Sequence, residues 1–183
     1  MKAALVTIFL VVSAMAQNSN VIPHAAACGA ANVQFSIKMD SSQTTAPEVE
    51  SGRALIYVVE DQKFRAFNDV TARVGLDGAW VGATRGNSFL FFSVEPGEHH
   101  LCADWVSSLL ASGREIALFG FTAEAGKTYY FRARTTGGPS SMTEKNGLDD
   151  TASIDLDLVN SDEGRLLVES SPLSVSHPKT KSQ

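Results

Sequence analysis

The chain has 183 residues, of which 44% are hydrophobic, 8% aromatic and 19% charged. That is enough apolar material for one buried core, and the charged fraction lies below the roughly 25% of an average soluble domain, which argues against a largely disordered chain. Lys and Arg number 15 against 20 Asp and Glu, a formal net charge of −5. No basic excess exists to neutralise phosphates, so no nucleic-acid partner is expected, and the composition excludes a fibrous protein, a polytopic membrane protein and a cysteine-rich mini-scaffold.

Met1 to Ala16 read as a secretory signal peptide: Lys2 is the positive start, Ala3 to Val12 the apolar run, and Ala14-Met15-Ala16 the small-residue cleavage site before Gln17. The run is shorter than the roughly 20 residues that span a bilayer, and no later stretch approaches that length. The expectation is an exported protein, periplasmic or secreted, with no membrane span after signal cleavage. Ala25-Ala26-Ala27 before Cys28 raises lipid attachment, but Gln17 to Asn20, Pro23 and His24 intervene, and the residue three before the cysteine is Ala. Residues 17–31 read as a leader, 32–176 as the folded domain and 177–183 as a disordered tail.

Cys28 and Cys102 are the two cysteines. In an oxidising compartment an even count favours one disulfide, with two unpaired buried thiols as the alternative. They form no Cys-x-x-Cys pair, so thioredoxin-like chemistry has no support.

Val33, Phe35 and Ile37 alternate with polar residues, the mark of a half-buried strand, and 40–51 reads as a loop. Arg53 to Glu60 is a compact β-branched and aromatic run, expected as a central strand. Asp77-Gly78, between Ala72–Leu76 and Ala79–Gly82, is a two-residue hairpin turn in which both central positions need positive φ. Pro96-Gly97 joins Ser88–Val94 to Glu98–Ala103 as a type II turn, and Ala125-Gly126 joins Ile116–Thr122 to Lys127–Arg134; both read as hairpins. After a Gly- and Ser-rich loop, 136–150, Ala152 to Leu158 alternate as the expected last strand. Ser161, with Asp162 and Glu163, then caps a short helix that Leu166, Leu167 and Leu173 would pack against the sheet. The expected fold is mainly β: a single antiparallel β-sandwich, immunoglobulin- or transthyretin-like, with a short C-terminal helix.

Several pieces together carry a family resemblance: Gly52-Arg53-Ala54-Leu55-Ile56-Tyr57, Leu76 to Gly82, Asn87-Ser88-Phe89, Val94 to Cys102 and Ala123 to Phe131. With these the chain resembles a bacterial exported family, domain of unknown function 2846, over roughly 28–178. The resemblance implies a small β-rich envelope or secreted domain, and it brings no catalytic residues.

The residues suggest no catalysis. Glu124-Ala125-Gly126-Lys127-Thr128 lacks the spacing of a phosphate loop and opens a β-run rather than a helix. Ser88, in Gly86-Asn87-Ser88-Phe89-Leu90, lacks the second glycine of a nucleophile elbow. Glu98 and His100 share a strand face while His99 faces the other way, and two ligands do not close a zinc site. Asp155 and Asp157 read as a solvated acidic face rather than a calcium site. Trp80, after the Asp-Gly turn, and Trp105, near Cys102, are the candidate anchors for a partner, with core filling as the alternative; Arg85 and Asn87, beside Gly86, are the polar candidates. The expected function is therefore a non-enzymatic exported domain without cofactor that binds an envelope protein or glycan. A small-ligand or metal-binding protein using Glu98 and His100 is the alternative, and a hydrolase the third class.

Overall fold

β-Branched and aromatic runs set the strands, and short turns join four of the successive pairs. In chain order the elements are α1 (His24–Ala27), β1 (Phe35–Asp40), β2 (Ala54–Gln62), β3 (Thr71–Leu76), β4 (Ala79–Arg85), β5 (Phe89–Val94), β6 (Gly97–Val106), β7 (Glu115–Ala123), β8 (Thr128–Thr136), β9 (Ser153–Val159), α2 (Ser161–Glu169) and β10 (Leu173–Pro178). The structure is a computed structural model that describes residues 24–42, 47–62, 71–106, 115–136 and 153–179. The signal-peptide reading of residues 1–16 lies outside them.

The strands form two sheets, β1-β10-β5-β2-β8-β9 and β4-β3-β6-β7. They pack face to face as the expected β-sandwich. Alternation decides which side chains meet. Ile56, Val58, Leu90, Phe131, Ala133 and Leu156 from the first sheet close on Val74, Leu101, Ala103 and Trp105 from the second. The opposite face of the first sheet carries Leu55, Tyr57, Val59, Phe89 and Tyr130, with Leu167 and Val168 of α2 packed against them. A Cβ on Gly164 would sit 2.2 Å from Cγ of Tyr130, so only a glycine lets α2 lie this close.

Several local expectations are corrected by long-range pairing. The second sheet is antiparallel, but in the first β2 pairs parallel with β8, and β10 parallel with β5. The Asp77-Gly78 hairpin forms as expected, with φ of 49° and 83°. The Pro96-Gly97 and Ala125-Gly126 turns close no hairpin. Each carries the chain from one sheet to the other, because β5 and β8 lie in the first sheet and β6 and β7 in the second. Gly97 has φ of 143°, far from the type II value. The helix cap is Asn160 rather than Ser161; its Oδ1 accepts from the N–H groups of Asp162 (3.1 Å) and Glu163 (3.0 Å). Leu166, expected to pack inward, is exposed. Ordered chain continues past 176: β10 runs through His177 and Pro178, and the N–H of Lys179 donates to the carbonyl of Gln34 at 2.8 Å. The leader is likewise structured from His24, with Ala27 and Cys28 buried.

Strand direction sorts the connections. The turns 77–78, 95–96 and 124–127 lie at one end of the sandwich. The 86–88 link lies at the other, with the ends of β2, β6 and β8 and the starts of β3, β7 and β9.

Candidate functional site

The outer face of the second sheet is covered by the segment running from α1 to β1. Cys28 and Cys102 form the expected disulfide, with Cα atoms 5.3 Å apart, so no thiol remains on Cys28 for a lipid. Gly75 makes the approach possible, since a Cβ there would lie 2.7 Å from the carbonyl oxygen of Ala27. Beyond the disulfide, Arg73 reaches up from β3 and donates to the carbonyls of Ala31 (3.0 Å) and Val33 (2.6 Å) and to the carboxylate of Asp104. The Arg73 and Asp104 side chains are 4% and 0% exposed.

This face resolves the two tryptophans. Trp80 is half-buried; its indole N–H donates to the carbonyl of Ala30 at 2.8 Å, and the Arg73 guanidinium lies 4.4 Å from its ring centroid. It braces the covering segment. Trp105 pairs with Ala72 and points between the sheets, 3% exposed. The expectation that it anchors a partner is therefore corrected: the two indoles lie on opposite faces of one sheet, and Trp105 fills the core.

At the turn end Asp77 collects its neighbours. Its Oδ2 meets His99 Nδ1 at 2.6 Å, and its Oδ1 accepts the backbone N–H of His100 at 2.8 Å. His99 Nε2 faces the carbonyl of Glu95 at 2.8 Å. Two acceptors on two ring nitrogens suit an imidazolium. Burial pulls the His99 pKa down, but the Asp77 hydrogen bond, the Glu95 carbonyl and the Asp77 charge together raise it above 6.5. The metal candidates divide: Glu98 is exposed, and His100 Nδ1 lies 3.9 Å from Asp77 Oδ1. No group of three or more His, Cys, Asp or Glu able to hold a metal occurs among the described residues. Asp157 does not lie on a purely solvated face; it sits 3.9 Å from Arg132 and 3.7 Å from Arg134, and Arg132 also meets Glu163 at 2.5 Å.

At the opposite end the polar candidates Arg85 and Asn87 are brought together on the short link between β4 and β5, both exposed. The link is pinned from below. The buried Ser88 hydroxyl donates to the Arg85 carbonyl (3.1 Å), accepts the Arg85 N–H (3.2 Å) and lies 2.7 Å from Ser174 Oγ. The N–H of Glu60 donates to the Ser88 carbonyl at 2.9 Å. Gly86, at φ of 60°, turns the chain so that its two flanking side chains face outward. The sequence shows Ser88 only as a rejected nucleophile and gives Ser174 no role; a serine at the head of the apolar Ser88–Val94 run is the available signal of the buried contact.

Residues 50–148, more than half of the chain, match the family described as Protein of unknown function (DUF2846). The chain belongs to this family. No curated protein and no solved structure matches it. The matched DUF2846 span holds β2 to β8, with Cys102 and the Arg85–Ser88 link, whereas Cys28, β1, α2 and β10 flank it. No helix among the described residues is long and apolar enough to cross a membrane.

Proposed function

We propose that this protein is an exported, non-enzymatic binding domain that engages an envelope protein or glycan through Arg85 and Asn87. One observation carries the reading: an exposed arginine at the end of β4 and an exposed asparagine flank Gly86, where a three-residue link begins that Ser88 fixes to both sheets. A rigid link loses little conformational freedom on binding, and arginine is among the residues that concentrate binding energy at interfaces. The signal-like segment and the Cys28–Cys102 disulfide support export.

The test is a crosslinked pull-down from native envelope extract, comparing the wild type with Arg85→Ala plus Asn87→Ala after both are shown to melt alike. One stoichiometric partner, protein or glycan, retained by the wild type and lost by the variant is the expected result. Equal capture by both removes the Arg85 surface from consideration.

A further inference from the structure

Each sheet must end somewhere, and an uncovered edge strand is a template for another chain. Among the described residues the two sheets have four edges, and three of them are blunted. β4 carries an irregularity near Val81, and its Ala83 N–H is taken by Ser176 Oγ at 2.9 Å. β7 packs along β9 at the far side of the sandwich. The same contact covers β9.

β1 differs. The Lys179 N–H donates to the Gln34 carbonyl, so Gln34, Ser36, Lys38 and Asp40 direct their backbone groups toward β10. By alternation the N–H and C=O of Phe35, Ile37 and Met39 point to the free edge. Met39 is 41% exposed there.

We infer that β1 pairs antiparallel with β1 of a second copy about a two-fold axis at Met39, joining the two six-stranded sheets into one. Charge fixes the register. With Met39 opposite Met39 of the second copy, the two residues exchange N–H···O bonds, and Lys38 of each chain lies opposite Asp40 of the other. Sliding by one bonding pair, so that Ile37 faces Met39, sets Lys38 against Lys38 and is disfavoured. The chosen register covers the exposed methionine with its own image and closes two opposite-charge pairs. It is an isologous contact that stops at two copies. It does not depend on the Arg85 reading.

Sedimentation velocity on the purified, oxidised full chain between about 1 and 100 µM tests it. The expected result is a concentration-dependent dimer. Lys38→Glu and Asp40→Lys each introduce two like-charge pairs and are expected to weaken it at least about ten-fold. The double variant Lys38→Glu plus Asp40→Lys restores the pairs in reverse and is expected to dimerise again. Met39→Pro removes an N–H that β10 does not use, and gives a monomer that melts with the wild type at concentrations low enough to dissociate the dimer. A wild type that stays monomeric over this range overturns the proposal. So does a dimer that ignores both single charge changes.

Discussion

Arg73 and Asp104 stand opposite each other on β3 and β6, an ion pair sealed on the outside of the second sheet by the segment that carries Cys28. Their charges are desolvated, so what matters energetically is whether either is left alone. Arg73→Ala removes the ion-pair partner of a buried carboxylate, and Asp104→Ala that of a buried guanidinium. Each single change is expected to cost about 3–5 kcal/mol in urea unfolding, whereas Arg73→Met with Asp104→Leu costs less than either.

The disulfide holds the covering segment over that pair. The cysteines are 74 apart in sequence, and the chain-entropy model assigns such a closure about 4 kcal/mol. Cys28→Ser with Cys102→Ser is expected to lower the unfolding midpoint by a corresponding amount. Trp80 fluorescence should shift red in native conditions as its Ala30 contact loosens, while the core-buried Trp105 does not move. A Trp80→Phe control separates the two signals.

His99 gives a pH dependence of definite sign. Its folded pKa is raised above 6.5 by Asp77 and the Glu95 carbonyl, which outweigh burial. A raised folded pKa stabilises the fold fully below the unfolded value and loses that contribution as pH rises through the folded value. The melting temperature is thus expected to fall from about pH 6.5 upward, where unfolded histidine titrates. His99→Gln should flatten the profile in that window; an unchanged profile assigns the effect elsewhere.

Gly164→Ala opposes two rules. Helix propensity favours alanine by about 1 kcal/mol, yet the new methyl would overlap the Tyr130 ring. Overpacking is expected to win, with a net loss of about 1–3 kcal/mol by chemical denaturation. A stabilised variant would mean that α2 can lift away from the sheet without cost.

Alternation and turn chemistry made most strands legible: Phe35–Ile37, Ala54–Glu60 and the Asp77-Gly78 hairpin are local patterns with local causes. Sheet membership was not legible, because Pro96-Gly97 and Ala125-Gly126 look like hairpin turns whether the next strand folds back alongside or crosses to the opposite sheet. β10 was not legible because its alternation, Leu173 and Val175, is short and ends at Pro178. Arg85 and Asn87 were visible as polar residues at a bend, but the Ser88–Ser174 contact that fixes them spans 86 residues of sequence. The burial of Trp105 was not legible, because an indole near a cysteine suggests exposure no better than burial. Its parity with Ala72 across β3 and β6 decides the matter, and only the register reveals that parity.

The position of β10 between β1 and β5 governs the order of assembly. A chain delivered amino terminus first presents β1 early, yet β1 has no neighbour in its sheet until Leu173–Pro178 arrives. Cys102 emerges well before then. Covalent closure can therefore fasten the start of the chain to β6 while the six-stranded sheet is still missing the strand that receives β1. The last strand made is the one that admits the first, so a product truncated before β10 keeps the disulfide and the β5-β2-β8-β9 pairings but leaves β1 without its partner.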